Sequence, residues 1–270
     1  MARRKQRPEQ GGEEPLTRQH IEQTIAQLAP WFYSFDLGDG LRTPGVLPPE
    51  VAAIHPTRLE MLSLFLDAHF GSRLSQISCL DIGCHEGFYS MEMAKKGIPR
   101  VLGLDVRENN LAKARFVAEV LGLSQVSFRA GNCEQLSPED AGQHELTLFL
   151  GVLYHLENPM LCLRNLSRVT KEVCIVETQV IEEVEGSTEW GARDWTRPYQ
   201  GVLAVIDESG EFDSGNTETG STPVALAPSP KALDFLLRQA GFRRTRILPP
   251  PPNAYEQHAR GRRVICVAYK

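Results

Sequence analysis

Along the first quarter of the chain, apolar residues recur at helical spacing. Ile21, Ile25 and Leu28 form one stripe, which ends at Ala29-Pro30 because proline disfavours a helical residue before it. A dense aromatic stretch follows, Trp31, Phe32, Tyr33 and Phe35, and then a turn-rich run with Gly38, Gly40 and Gly45. A second helix is expected from Pro56, a residue suited to a first helical turn, with Leu59, Leu62, Phe65 and Leu66 on its buried stripe. Beyond it strand and helix alternate. Short apolar runs at 78–82, 100–105, 126–129, 145–150 and 173–176 read as strands, and 88–96, 109–121 and about 159–169 read as helices. A further amphipathic helix carries Leu233, Leu236, Leu237 and Ala240 and stops at Gly241. The closing strands, 242–248 and 262–269, read as a hairpin, because an antiparallel return needs only a loop. This order predicts an α/β fold: a doubly wound, seven-stranded, mostly parallel sheet with helices on both faces and an antiparallel terminal hairpin.

Composition adds boundaries to this outline. The 270 residues are 41% hydrophobic and 23% charged, enough for a full core. No run of about 18 apolar residues is present, so no membrane span is expected. The start Met1-Ala-Arg-Arg-Lys lacks the apolar stretch of a signal peptide, and the expected location is cytoplasmic. Six scattered cysteines, Cys79, Cys84, Cys133, Cys162, Cys174 and Cys266, form no C-x-x-C pair. They read as buried thiols, and neither a metal site nor a disulfide frame is expected. Residues 1–15 are expected to be a disordered tail, 16–70 a helical and aromatic lid segment, and 71–270 the main domain. An acidic stretch with Trp190 and Trp195 interrupts that domain and reads as a cap insertion at about 181–229. The net charge of -5 therefore sums an acidic cap and a basic carboxyl end from Ser229 onwards.

In a parallel sheet, ligands bind at the carboxyl ends of the strands, so the residues just after each strand carry the chemistry. After the first strand stands Asp81-Ile-Gly-Cys-His-Glu-Gly87, a glycine turn that bares backbone N–H groups to a ligand. The dinucleotide fingerprint G-x-G-x-x-G is not met, since His85 takes its second glycine place. Asp105 ends the second strand twenty-four residues after Asp81, placed to accept ribose hydroxyls or, alternatively, to cap a helix. After the third strand, Asn132 and the Cys133 N–H are candidate partners for an adenine ring, or members of an ordinary turn.

Three such sites in register resemble the class I S-adenosylmethionine methyltransferases, over roughly residues 77–270 and with their Rossmann-like sheet. The resemblance implies S-adenosylmethionine as donor, S-adenosylhomocysteine as product, and a binding set of Asp81, Gly83, Cys84, Gly87, Asp105, Val106, Asn132, Cys133, Leu150 and Gly151. The fourth strand runs into Gly151-Val-Leu-Tyr-His155 and the fifth into Glu177-Thr-Gln-Val. These segments are similar to the tRNA wobble-uridine 5-oxyacetate-forming (mo5U-type) methyltransferases. The chain departs from that family at Pro30-Trp-Phe-Tyr-Ser-Phe, which has no lysine for the extra carboxylate of a carboxylated donor, so plain S-adenosylmethionine is expected even with Arg262 or Arg263 near the partner place. His155 and Tyr154 are the catalytic candidates. His155 either takes a proton from the acceptor or merely orients its loop, and Tyr154 either takes part or lines the donor pocket. Trp31, Tyr33, Arg42, Glu177, Trp190 and Trp195 are candidates to meet substrate, with core packing the other reading for Trp31. The favoured function is methyl transfer to a small-molecule acceptor. A tRNA methyltransferase is the alternative, supported by the basic carboxyl end, and a non-catalytic binding protein comes last.

Overall fold

A computed structural model of the chain describes residues 16–210 and 222–270. The expected tail, 1–15, and part of the cap, 211–221, lie outside the described residues. The N-terminal segment folds as α1 (Arg18–Gln27), a ribbon of β1 (Asp36–Gly38) and β2 (Leu41–Arg42), α2 (Pro49–Ala52) and α3 (Ile54–His69). Thr17 caps α1 by accepting the His20 N–H. α3 starts two residues before the expected Pro56. A proline at the third helical position still lacks only an N–H that has no intrahelical acceptor.

The central sheet has seven strands in the order β12, β13, β7, β6, β3, β4, β5. They are β3 (Ser78–Ile82), β4 (Arg100–Asp105), β5 (Val126–Ala130), β6 (His144–Leu150), β7 (Thr170–Gln179), β12 (Arg244–Ile247) and β13 (Arg263–Tyr269). The first five run parallel, and β13 lies antiparallel between β7 and β12, as the hairpin reading expects. α4 (Phe88–Lys95), α5 (Glu108–Val120), α6 (Pro138–Ala141), α7 (Pro159–Val169), α8 (Pro230–Ala240) and α9 (Glu256–Ala259) complete the helices of the described residues. Period-two alternation divides the core. Cys79, Leu146, Leu148, Ile175 and Val267 pack towards α3 and α4, while Leu80, Phe149, Cys174, Val176 and Cys266 pack towards α7 and α8. β7 outruns the expected 173–176 at both ends: Thr170 pairs with His144 of β6, and the far end stays in register with β13 as far as Gln179 opposite Arg263. All six cysteines are free and buried, as expected.

The N-terminal segment packs its aromatic residues into the core and forms one wall of it. Trp31 is fully buried, packs edge-on against Phe35, and donates its indole N–H to the Ile25 carbonyl at 2.8 Å. That assigns it to the core and removes it from the substrate candidates. Glu86, inside the glycine turn after β3, is also fully buried. It accepts the main-chain N–H groups of Phe32 and Tyr33, each at 2.9 Å, and the Lys113 ammonium at 2.8 Å. Glu86→Gln keeps an acceptor but leaves Lys113 without its counter-charge, so a stability loss of roughly 1–3 kcal/mol is expected in urea denaturation. An unchanged midpoint would show that this clasp does not hold the wall.

The cap forms two ribbons. β8 (Ser187–Glu189) pairs with β9 (Thr196–Pro198), and β10 (Leu203–Asp207) with β11 (Val224–Pro228). Trp190 and Trp195 sit at the outer end of the first ribbon and are more than half exposed, 57% and 56%. β11 instead packs on the turn Leu153–His155, so the second ribbon is the part of the cap that reaches the strand ends.

Candidate active site

A cavity of about 490 Å³ opens over the carboxyl ends of β3, β4, β5 and β6. Of the residues singled out from the sequence, Gly83, Asp105, Val106, Asn132, Cys133, Leu150, Gly151, Tyr154, His155 and Tyr33 line it. Strand register explains this convergence: parallel strands deliver their next residues to one edge of the sheet.

The others act elsewhere. Asp81 is buried behind the turn and accepts the Ser90 hydroxyl at 2.6 Å; burial first, with Asp105 adding, pushes its carboxyl up to about 6. Cys84 is buried and off the cavity wall. A Cβ on Gly87 would meet the Phe128 ring at 2.6 Å, so that glycine permits close packing of the turn on β5 and does not face the cavity. Arg42 is exposed and paired with Asp36. Trp31, Trp190 and Trp195 lie away from the lining, and Glu177 sits beneath it with no exposed surface.

Glu177 anchors the floor. Arg58 of α3 lies 2.7 Å from its carboxylate, Arg263 of β13 3.2 Å and His258 3.4 Å. Burial alone would raise its pKa, yet Arg58 and Arg263 hold it down at about 2. The two guanidiniums reach the cavity wall, and Arg263 also lies over the Tyr154 ring. Asp105 accepts the N–H of His85 and of Arg107, each at 2.9 Å, one on each oxygen. Burial raises its pKa while those main-chain donors work against the rise. Asn132 spends one side-chain lone pair on capping the following turn, 2.9 Å from the Glu134 N–H, which gives the ordinary-turn reading real substance.

Sequence reasoning missed four more polar lining residues: His55 and Arg58 of α3, His85 in the turn after β3, and Arg107 just after β4. His85 has a left-handed backbone, φ 54, and packs against the Phe32 ring. Burial, reinforced by nearby cations, pulls both His55 and His85 down to about 3, so both imidazoles are neutral. Both ring nitrogens of His85, Nε2 of His55 and Nε of Arg58 are buried without a partner among the described residues. Unmet polar groups lining one cavity mark a place for a polar ligand. A Cβ on Gly83 would lie 2.4 Å from Val152, so the close packing of the turn on Val152 requires glycine, and Gly83 lines the cavity as bare main chain. An extended molecule with a zwitterionic end, a ribose and a flat base matches this order of unmet polar groups, bare turn, buried carboxylate and loop.

His155 lines the cavity beside Tyr154, their rings 4.1 Å apart. Its Nδ1 lies 3.4 Å from Glu208 in the turn after β10. Burial is the main influence on its pKa and lowers it, against the pull of Glu208.

The seven-stranded order with its reversed strand and the loops at its edge define the class I methyltransferase fold. Residues 74–206 match the profile of the family described as methyltransferase domain, which supports S-adenosylmethionine as the cofactor. The N-terminal domain of EvdMO1, solved with S-adenosylhomocysteine and D-fucose, is similar over 96% of this chain and 99% of its own, with a TM-score of 0.70 and 22% identity. At that identity the likeness concerns the fold. Among curated proteins, the ubiquinone biosynthesis O-methyltransferases of Acinetobacter baylyi and Bordetella avium are each 33% identical, over 39% and 44% of this chain. The chain covers less than half of either relative, 42% and 46%. These relatives lend no support to the expected likeness to tRNA wobble-uridine enzymes. No helix of the described residues is long and apolar enough to cross a membrane.

Proposed function

We propose that the protein methylates a hydroxyl oxygen of a small, ring-bearing acceptor, with His155 as the general base. The observation that carries this reading is His155 itself: a cavity-lining imidazole that burial keeps neutral, with one ring nitrogen free of partners among the described residues. When bound, the donor supplies an electrophilic methyl whose sulfur leaves as a neutral thioether, so the one proton left to move is the acceptor's. His155 takes that proton as the acceptor oxygen loses it. An imidazole with a lowered pKa is a modest base, which suits a phenolic hydroxyl near pKa 10 better than an aliphatic alcohol. The names of the O-methylating relatives agree with an oxygen acceptor.

The chain's other residues bind and orient. In this reading Arg58 receives the donor's carboxylate, Asp105 the ribose hydroxyls and the loop of Asn132 and Cys133 the base. Tyr33 and Phe32 exclude water and offer ring faces to the acceptor. A small acceptor is favoured over tRNA because part of the basic carboxyl end is neutralised: of its nine cations, Arg238 pairs with Asp234, Arg260 with Glu256, Arg262 with Glu182 and Arg263 with Glu177.

Incubation with methyl-labelled donor and catechol tests the reading, with D-fucose as the aliphatic control. Label on a catechol oxygen is expected, and a wild-type protein that labels neither, while binding S-adenosylhomocysteine, would sink it. His155→Asn is expected to lower turnover about 10²-fold or more with S-adenosylhomocysteine affinity unchanged. Because burial lowers the His155 pKa, the acid limb of the wild-type rate profile should fall below the ordinary imidazole value of about 6.5.

A further inference from the structure

Among the described residues, the inserted cap meets His155 through the side chain of Glu208. Glu208 follows β10, its main-chain N–H donates to the Pro223 carbonyl at 2.8 Å, and its carboxylate lies 3.4 Å from His155 Nδ1. Both side chains are mostly withdrawn from water, 19% and 16% exposed. The contact spans fifty-three residues of sequence and joins two elements that already pack together, β11 with its ribbon partner and the turn Leu153–His155. We propose that Glu208 is the positioning residue of this site: it fixes the tautomer of His155 and stabilises the imidazolium that forms when the acceptor gives up its proton. The proposal rests on the reading of His155 as base.

The chemistry follows from the inventory of donors. A carboxylate only accepts, so the proton of a neutral His155 resides on Nδ1 and the lone pair on Nε2. Nε2 has no partner among the described residues and belongs to a residue that lines the cavity. The remaining charged groups that influence the ring are Arg263 from β13 and Arg107 ahead of α5, and both oppose its protonation. Glu208 is the counterweight that lets the ring accept a proton beside two cations. The separation of 3.4 Å is long for a charge-assisted bond, and such bonds tighten when acceptor fills the site. The acidic insertion thus contributes to the chemistry through the Glu208 carboxylate.

The test is carried out on the full chain saturated with S-adenosylhomocysteine, with ¹⁵N-histidine NMR reading the ring of His155 directly. Wild-type protein is expected to show the Nδ1–H tautomer. Glu208→Gln, which keeps shape but removes charge, should lower the His155 pKa by about one unit, and Glu208→Asp should restore part of the shift. An unmoved pKa in Glu208→Gln, or the Nε2–H tautomer in wild type, overturns the proposal. With catechol as acceptor, Glu208→Gln should cut kcat at least tenfold with KM for the donor unchanged. The acid limb should move to lower pH, which a purely structural role would not produce. In the His155→Asn background the same change should cost nothing further. Full activity of His155→Asn would remove the base reading itself, whereas an inactive His155→Asn beside an unimpaired Glu208→Gln would remove only the role of Glu208.

Discussion

Glu177→Ala is expected to destabilise the fold by about 3–5 kcal/mol, the loss typical of breaking a buried ion pair from one side. The carboxylate has no exposed surface and holds Arg58 and Arg263 at 2.7 and 3.2 Å. Removing it leaves two guanidiniums in a desolvated floor with no opposite charge. Glu177→Gln, which preserves hydrogen bonding and volume, should recover part of the loss. The same geometry sets an acid limit. With the folded pKa held at about 2 and an unfolded value near 4.3, this carboxylate contributes stability above about pH 4.3. That contribution is lost as pH falls from there towards 2. Urea midpoints of wild type and Glu177→Gln at pH 7 and pH 3 measure it: the gap between the two proteins should narrow at the lower pH. An equal gap at both would mean that the ion pairs do not carry the stability.

The strand ends were legible because a parallel sheet places consecutive strand-terminal residues on one edge, so Gly83, Asp105 and Asn132 follow from counting along the chain. The further polar lining residues were not legible, although their signal was present. His55 and Arg58 stand three residues apart on a helix read only for the apolar stripe that begins at Leu59. What the stripe could not disclose is that the first turn of that helix abuts β7 and meets Glu177, a contact spanning 119 residues. His85 was visible as a departure from a glycine place. Its consequence, a left-handed backbone that presents a neutral ring to the cavity, needed the packed aromatic wall. The tryptophans were ambiguous for a different reason. Hydrophobicity places Trp31 inside but cannot distinguish a core position from the end of a short ribbon, where Trp190 and Trp195 stand. Net charge could not disclose the pairing at the carboxyl end, where four of nine cations meet Asp234, Glu256, Glu182 and Glu177.

Gly83→Ala is expected to abolish useful donor binding while the sheet remains intact. Gly83 has φ 72, a left-handed conformation that costs an alanine about 1–2 kcal/mol. The added Cβ would lie 2.4 Å from Cγ2 of Val152, far inside contact distance, and β-branched Val152 has few rotamers with which to yield. Gly83 accepts no other arrangement easily, because its N–H donates to the Leu104 carbonyl at 2.8 Å and ties the turn to β4. The displaced turn would move the main chain that lines the cavity between Gly83 and His85, where the orphaned ring nitrogens lie. A loss of at least 10²-fold in affinity for S-adenosylhomocysteine is expected by calorimetry, equivalent to about 2.8 kcal/mol. Gly97→Ala serves as the control, since its left-handed backbone has nothing within 4 Å of a new Cβ. It should pay the conformational cost in stability and bind the ligand normally. If both variants bind alike, the packing of the Gly83 turn against Val152 does not shape the donor pocket.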